Sequence, residues 1–264
     1  RIALEARAAG LFVQRGGAIK RRLSHGGLPG DILSVRAARS GGLWLGTSTG
    51  LFQLADAADA QPVAVPAVRG PVVALLEDRD GTLWAGSWGQ GLFRITGTRV
   101  DSWTARDGLP DDFIRTLAED NEGDLWIGTR SGGLGRWKDT RIVPLGAAEG
   151  MAGNYATTVM TDPFGDLWLG TWRGGLYRIR DGRLESQPTP FATLYFTLRA
   201  LAFDSRGRQW FGNWEGLFEF DGHAYRRYAT AADSPYRRVS ALLFDHTGGL
   251  WVGTADQGLF RFPA

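Results

Sequence analysis

Residues 120–129, Asp-Asn-Glu-Gly-Asp-Leu-Trp-Ile-Gly-Thr, decide the fold of this chain because the same pattern returns along it at a nearly constant spacing. A tryptophan, preceded by leucine in five of six copies, stands near the centre of each copy. In chain order, repeats one to six carry Trp44, Trp84, Trp126, Trp168, Trp210 and Trp251. Their spacings of 40, 42, 42, 42 and 41 residues identify a repeat protein.

Small and acidic residues keep fixed positions around this anchor tryptophan. Glycine stands three residues before it and two residues after it in every repeat, and a threonine, serine or asparagine follows the second glycine. We expect the glycines to permit a turn on one side and a close backbone approach on the other. An aspartate stands six residues before the tryptophan in five repeats, with Ala38 in its place in the first. This aspartate is predicted to cap a hairpin.

Each repeat is predicted to contain only strands. In repeat three, apolar or alternating segments over residues 113–119, 125–127, 134–137 and 141–145 are separated by Gly and Asp turns. Four short strands in a unit of about 40–45 residues are typical of one blade of a β-propeller. The fold class is therefore all-β, with residues 1–264 forming a single propeller. We expect each anchor tryptophan to project between adjacent blades and fill the gap that widens outward.

The number of blades stays open between six and seven. Residues 1–23 form a partial repeat, in which Gly10-Leu11-Phe12 matches Gly50-Leu51-Phe52. The last repeat ends after its third predicted strand, residues 258–262. In a six-bladed ring, residues 18–23 supply the missing fourth strand of the last blade. In a seven-bladed ring, some strands of the first and last blades are absent.

Composition excludes several classes of function. The charge balance of 30 basic and 28 acidic residues gives no basic field for nucleic acid. The absence of cysteine excludes disulfide scaffolds, cysteine-ligated zinc and iron–sulfur sites. No apolar run is long enough to cross a membrane, so we expect no membrane contact by this domain. The chain begins with arginine, and we expect a mature or excised domain.

The repeat resembles a known family. Residues 120–129 followed by Gly132-Gly133-Leu134, and residues 78–84, are similar to the two-component regulator propeller repeat. The segments 107–110 (Asp-Gly-Leu-Pro) and 25–29 (His-Gly-Gly-Leu-Pro) are similar to the linker between its blades. The resemblance implies a periplasmic sensor domain of a bacterial receptor whose histidine kinase or diguanylate cyclase lies elsewhere. It also implies an oligosaccharide ligand and a receptor that pairs as a homodimer. The repeat motif itself fixes no binding residue.

Candidate binding residues lie four positions after each anchor tryptophan, in the loop between the second and third strands. Three of these six positions are again tryptophan, and large rings there suit stacking on a sugar. Neighbouring charged side chains are candidates for bonding its hydroxyls. Two tyrosines in the loops that enter the first strand add to the set. The predicted ligand-binding residues are Trp88, Arg130, Trp172, Arg173, Trp214, Glu215, Tyr155 and Tyr195. The alternative is that the rings only pack against the loop of the next blade.

Two rival functions compete with ligand sensing. A glycosidase or lyase needs paired carboxylates, and the sialidase-type box places aspartate five residues before its tryptophan rather than six. The chain has no nucleophile motif, phosphate loop or calcium-loop pattern, so we predict no enzyme activity, cofactor or metal. A protein-interaction scaffold is the other alternative. Exposed aromatics near the channel favour a small ligand, whereas a patch on the side favours a protein.

Overall fold

Short strands make up almost all of the regular secondary structure in the described part of the chain. The computed structural model describes residues 2–6, 10–15, 18–23, 27–57, 60–172, 175–180, 183–189, 197–228, 238–245 and 247–262. Within these ranges, the helical segments are the two 3-10 turns Ala105–Asp107 and Ala147–Glu149. No helix among the described residues has the length and apolar character that a membrane span requires.

The chain divides into two compact units, Arg1–Leu117 and Ala118–Ala264. The N-terminal unit contains three sheets, in each of which the strands follow chain order. The first sheet contains β1 (Ile2–Ala6), β2 (Gly10–Arg15) and β3 (Ala18–Leu23). The second contains β4 (Ile32–Ala37), β5 (Leu43–Thr47), β6 (Gly50–Leu54) and β7 (Val63–Arg69). The third contains β8 (Val72–Glu77), β9 (Leu83–Ser87), β10 (Leu92–Thr96) and β11 (Arg99–Trp103).

The C-terminal unit repeats this arrangement, although its first strand begins before the division. Its first sheet contains β12 (Ile114–Glu119), β13 (Leu125–Thr129), β14 (Leu134–Lys138) and β15 (Arg141–Leu145). The next contains β16 (Ala156–Thr161), β17 (Leu167–Thr171), β18 (Gly175–Arg180) and β19 (Arg183–Gln187). Then follow β20 (Ala200–Phe203), β21 (Gln209–Gly212), β22 (Leu217–Phe220) and β23 (Tyr225–Arg227). The last sheet contains β24 (Val239–Phe244), β25 (Leu250–Thr254) and β26 (Leu259–Phe262).

The prediction of an all-β chain built from four-stranded antiparallel units is confirmed. The four strands expected in repeat three are present as β12 to β15, in chain order. The partial repeat at the N-terminus forms its own sheet, in which Leu4 of β1 lies opposite Phe12 of β2. Its three strands therefore correspond to the second, third and fourth strands of a complete repeat.

The six-bladed alternative assigned residues 18–23 to the last sheet, whereas the structure describes them as a strand of the N-terminal sheet. The strand β3 pairs with β2 in antiparallel register, with Ile19 opposite Gln14. Only two residues separate these strands in sequence, so closing this hairpin costs far less chain entropy than a pairing across the whole chain. Within the described residues, the last sheet consists of β24, β25 and β26.

In repeats three and four, the anchor tryptophans pack between neighbouring sheets, as predicted. In the C-terminal unit, Trp126 belongs to a buried cluster with Val159 and Leu167 of the following repeat. Trp168 packs in the same way against Leu201 and Phe211 of the repeat after it. A large ring buries much apolar area with few rotatable bonds, so one residue per repeat fills most of each gap.

The aspartate six residues before the tryptophan caps the hairpin between the first and second strands, which confirms the prediction, and in four repeats it also accepts the indole N–H of the tryptophan. One carboxylate oxygen of Asp162 accepts backbone N–H groups from Phe164 and Asp166 at 2.9 and 3.0 Å. The other oxygen accepts the indole N–H of Trp168 at 2.8 Å. Asp78, Asp120 and Asp245 bond their own tryptophans in the same way.

The glycine two residues after the tryptophan marks the closest approach between neighbouring sheets. A Cβ added at Gly170 would lie 2.6 Å from Leu198 at the entrance to the next repeat's first strand. Gly86 and Gly212 face Ile114 and Val239 with equally little room. The close approach predicted from sequence is therefore confirmed, and it leaves space for a hydrogen atom only.

Replacing this glycine by alanine tests the close approach. We expect Gly212→Ala to lower the free energy of unfolding by about 1–3 kcal/mol, because the methyl group overlaps the Val239 side chain. Gly253 holds the same position in repeat six, and its nearest neighbour would be the Ala241 Cβ at 3.3 Å. Gly253→Ala should therefore cost clearly less. Equal shifts of the two urea unfolding midpoints would contradict this explanation.

Candidate functional site

The loops between the second and third strands are held by buried polar side chains. In repeat four, the Thr171 hydroxyl donates to the Gly175 carbonyl at 3.2 Å across the loop. In repeat five, the Asn213 side-chain oxygen accepts the N–H groups of Glu215 and Gly216 at 2.8 and 2.9 Å. These side-chain bonds replace missing backbone partners, so the position after the glycine needs a hydroxyl or an amide.

The fourth residue after the anchor tryptophan lies between the start of the first strand of its own repeat and the start of the first strand of the next repeat. In repeat four, the backbone N–H of Trp172 donates to the Tyr155 carbonyl at 2.8 Å, next to β16 of its own repeat. An isolated bridge joins the same tryptophan to Thr197, which precedes β20 of the next repeat. This backbone geometry fixes where each loop presents its side chain.

Two predicted binding residues lie together in repeat four. The Trp172 side chain is 44% exposed. Its ring centroid lies 5.1 Å from that of Tyr155, with the two planes at 53°. Together they form an angled aromatic surface at the end of the sheet.

Trp214 of repeat five carries two guanidinium groups over its ring. Its side chain is also 44% exposed. The guanidinium carbon of Arg199 lies 4.5 Å from the ring centroid, and that of Arg238 lies 4.8 Å away. These cation–π contacts orient the indole and concentrate positive charge beside it. Arg238 also pairs with Asp256 at 2.9 Å.

The backbone of Arg238 has φ of 53°, a conformation that arginine rarely adopts. Neighbouring strands hold it there: the Val239 N–H donates to the Asn213 carbonyl at 2.8 Å, and the Ala255 N–H donates to the Arg238 carbonyl at 3.0 Å. Neither Arg199 nor Arg238 was predicted as a site residue. The available signal was their position at the entrance to a first strand, next to a predicted tryptophan loop.

Trp88, in the N-terminal unit, packs more tightly than the other two loop tryptophans. It is half-buried, with its ring edge-on to Phe113 at 5.3 Å between centroids and 81° between planes. The Arg115 guanidinium lies 5.4 Å from its ring centroid. The Trp88 ring thus packs against the entrance to the next repeat, and less of it is exposed than of Trp172 or Trp214.

The remaining predicted residues differ in what the structure says of them. Arg130 is exposed at the equivalent loop of repeat three. Glu215 is exposed beside Trp214, and its carbonyl accepts a hydrogen bond from the Arg227 side chain at 2.9 Å. Arg173 and Tyr195 lie outside the described residues.

One acidic group in the described residues has metal-like spacing, namely Asp120, Glu122 and Asp124. Its oxygens already accept strong donors. The indole of Trp126 donates to Asp120 at 2.7 Å, and Arg136 donates to Asp124 and Glu122 at 2.8 and 2.9 Å. We interpret the group as an ion-pair network that stabilises the repeat.

Comparison with known families agrees with these repeats. The family model of the two component regulator propeller matches residues 69–89 and 108–131, which cover the linker and the aspartate–tryptophan pattern. These two segments are similar to two-component regulator propeller repeats. The resemblance stated from sequence is therefore confirmed. No curated protein sequence gives a significant match.

Solved structures give the same fold at low sequence identity. The extracellular domain described as part of the hybrid two component system BT4673 from B. thetaiotaomicron superposes with a TM-score of 0.80 at 21% identity, covering 97% of this chain and 36% of that one. The corresponding domain of BT3049 superposes with a TM-score of 0.62 at 20% identity, covering 99% of this chain and 45% of that one. Virginiamycin B lyase from Staphylococcus aureus superposes with a TM-score of 0.64 at 16% identity, covering 87% of this chain and 83% of that one. At these identities the similarity establishes the β-propeller fold, and this chain spans about a third to a half of the two receptor domains.

The charge around Trp214 gives a measurable prediction. Because two guanidinium groups lie over its ring, we expect iodide to quench its fluorescence strongly and caesium weakly. Trp214→Phe should therefore lower the iodide-to-caesium ratio of Stern–Volmer constants more than Trp172→Phe, whose tryptophan is equally exposed. Raising the ionic strength should reduce the difference. An equal change in the two variants would contradict the proposed electrostatics.

Proposed function

We propose that this chain is the ligand-sensing propeller of a bacterial signal-transduction receptor, facing the periplasm. It binds an oligosaccharide or another small polar ligand on the loop face, near the propeller axis. The observation that carries the proposal is the occurrence of half-exposed tryptophans at equivalent loops of two successive repeats, each beside hydrogen-bonding groups. The family of the repeats supports the receptor context.

The chemistry of these loops suits a sugar. The C–H face of a pyranose packs on an aromatic ring, and the angled pair Tyr155 and Trp172 offers two such surfaces. The hydroxyl groups of a sugar need hydrogen-bond donors and acceptors beside these rings. Arg130 and Glu215 supply them from the equivalent loops of repeats three and five. The guanidinium groups over Trp214 extend the donor side of the site. We keep Trp88, Arg173 and Tyr195 as further members of the proposed site.

Signalling then requires domains beyond this chain. Because a rigid set of sheets has little internal motion, we propose that ligand binding changes the orientation or dimer packing of the parent receptor. The kinase or cyclase belongs to a separate output domain, and this chain is not itself an enzyme. The sensor assignment draws support from two similar structures described as extracellular domains of two component systems.

A protein partner is the second candidate. Phe164 is 71% exposed in the hairpin between the first and second strands of repeat four. This hairpin lies at the opposite end of the sheet from the tryptophan loops, because consecutive turns of an antiparallel sheet alternate between its ends. A partner that uses this end would leave Trp172 unaffected.

Titration with oligosaccharides distinguishes the two candidates. We expect a panel of plant, host and microbial oligosaccharides to contain at least one that changes tryptophan fluorescence saturably. Trp172→Ala should weaken its binding by about tenfold or more, the scale expected for loss of one stacking ring. Phe164→Ala serves as the matched control at the other end of the sheet and should bind normally. A flat response from folded wild-type protein would contradict the sugar-binding proposal and favour a protein partner.

A further inference from the structure

Repeat five reverses a charge pattern that repeats three and four share. The residue opposite the anchor tryptophan on the third strand is arginine in repeats three and four, Arg136 and Arg178. Each pairs with an aspartate two residues before the tryptophan, Asp124 or Asp166. In repeat five, the acidic group is on the third strand and the basic group stands before the tryptophan.

The reversed pair consists of Arg208 and Glu219. Arg208 forms an ion pair with Glu219, and its Nε donates to the Asp204 carboxylate at 2.6 Å. That carboxylate oxygen is the one that accepts the indole N–H in other repeats, for example at 2.8 Å in repeat four. The indole N–H of Trp210 therefore has no hydrogen-bond partner among the described residues. The side chain is nevertheless almost fully buried, with only 4% of it exposed. A buried N–H without a partner is unfavourable, and such groups are rare in folded proteins.

The same tryptophan lines a cavity between the sheets of repeats five and six. Its volume is about 730 Å³, within the range of small-molecule sites. The rings of Tyr228, Phe244 and Phe262 lie 5.4, 6.1 and 5.5 Å from that of Trp210, measured between centroids. Arg206 and Arg208 add basic groups to the lining.

The acceptor groups near this cavity are already used. Glu219 accepts from Arg208 and from the Tyr228 hydroxyl. Asp245 accepts from Trp251 at 2.9 Å and from Arg261 at 3.1 Å. Burial and the contact with Glu219 raise the pKa of Tyr228, so its hydroxyl stays protonated at neutral pH. The groups that remain for a ligand are aromatic faces, the exposed Arg206 guanidinium and the indole N–H.

We propose that this cavity binds a small planar aromatic carboxylate. The ring packs among the aromatic side chains, and the carboxylate faces Arg206 and the indole N–H of Trp210. An anion fits because the Arg206 guanidinium and the indole N–H are the available donors, whereas the carboxylates around the cavity are already engaged. The site shares no residue with the tryptophan loops, so this proposal and the sensor proposal fail or succeed independently.

Indole N–H signals in ¹H–¹⁵N NMR spectra test the proposal on the full chain. Trp210→Phe assigns the Trp210 signal. Titration with 4-hydroxybenzoate should shift that signal saturably downfield, because the N–H gains an acceptor. The neutral analogue 4-hydroxybenzyl alcohol should bind about tenfold more weakly, since it cannot pair with the Arg206 guanidinium. No saturable shift of this signal, or equal binding of the two compounds, would overturn the proposal.

A charge-swapped variant provides the matched control. Arg208→Asp combined with Glu219→Arg rebuilds the arrangement of repeats three and four without changing net charge. It frees Asp204 to accept the indole N–H, so 4-hydroxybenzoate should no longer shift the Trp210 signal downfield. Retention of that shift would overturn the proposal. Arg206→Gln, on an exposed side chain, gives a second test that does not disturb the core. It should weaken 4-hydroxybenzoate several-fold and leave the alcohol unchanged, and an equal effect on both compounds would count against the proposed site.

Discussion

The near-contact between one sheet and the next constrains everything else in this structure. At Gly170 and Gly212 the second strand approaches the entrance to the following repeat's first strand so closely that no side chain fits. Apolar surfaces pressed together at this distance exclude water and gain dispersion contacts along their length. The gap then widens outward, and the anchor tryptophan two residues away fills it. A glycine and a tryptophan at fixed separation are therefore two parts of one packing solution.

The aspartate before the tryptophan stabilises this packing because a single carboxylate bonds both the turn and the indole ring. In repeat four, Asp162 closes the turn through backbone N–H groups and orients Trp168 through its indole. Repeat five shows that the two purposes separate. Asp204 still closes its turn, at 2.9 Å to the Arg206 N–H, while Trp210 is held by ring contacts instead. The repeat tolerates the change because aromatic packing supplies most of the burial, and the freed N–H becomes available for another use.

The two ends of each sheet have different freedom to vary. In most repeats, the aspartate of the hairpin between the first and second strands also bonds the anchor tryptophan. Few other residues can therefore replace it. The loops after the second strand are fixed through backbone bonds and a buried hydroxyl or amide, as at Thr171 and Asn213. The residue four positions after the anchor tryptophan is thus free to differ, and it is tryptophan, arginine or a small residue in different repeats. This division allows a recognition surface to change while the scaffold stays the same.

The sequence by itself determined the repeat, the strands of each unit, the turn-capping aspartate and the close-packed glycine. All of these depend on contacts between residues at short and constant separations, or on a packing geometry that every repeat shares, so they leave a periodic signal. Tertiary structure decided the partner of residues 18–23, the two arginines over Trp214 and the unpartnered indole of Trp210. Trp88, predicted with Trp172 and Trp214 as an equivalent ring, is instead half-buried against Phe113. These features depend on which side chain a neighbouring repeat places opposite a given position. That choice differs from one repeat to the next, so only the packed sheets reveal it.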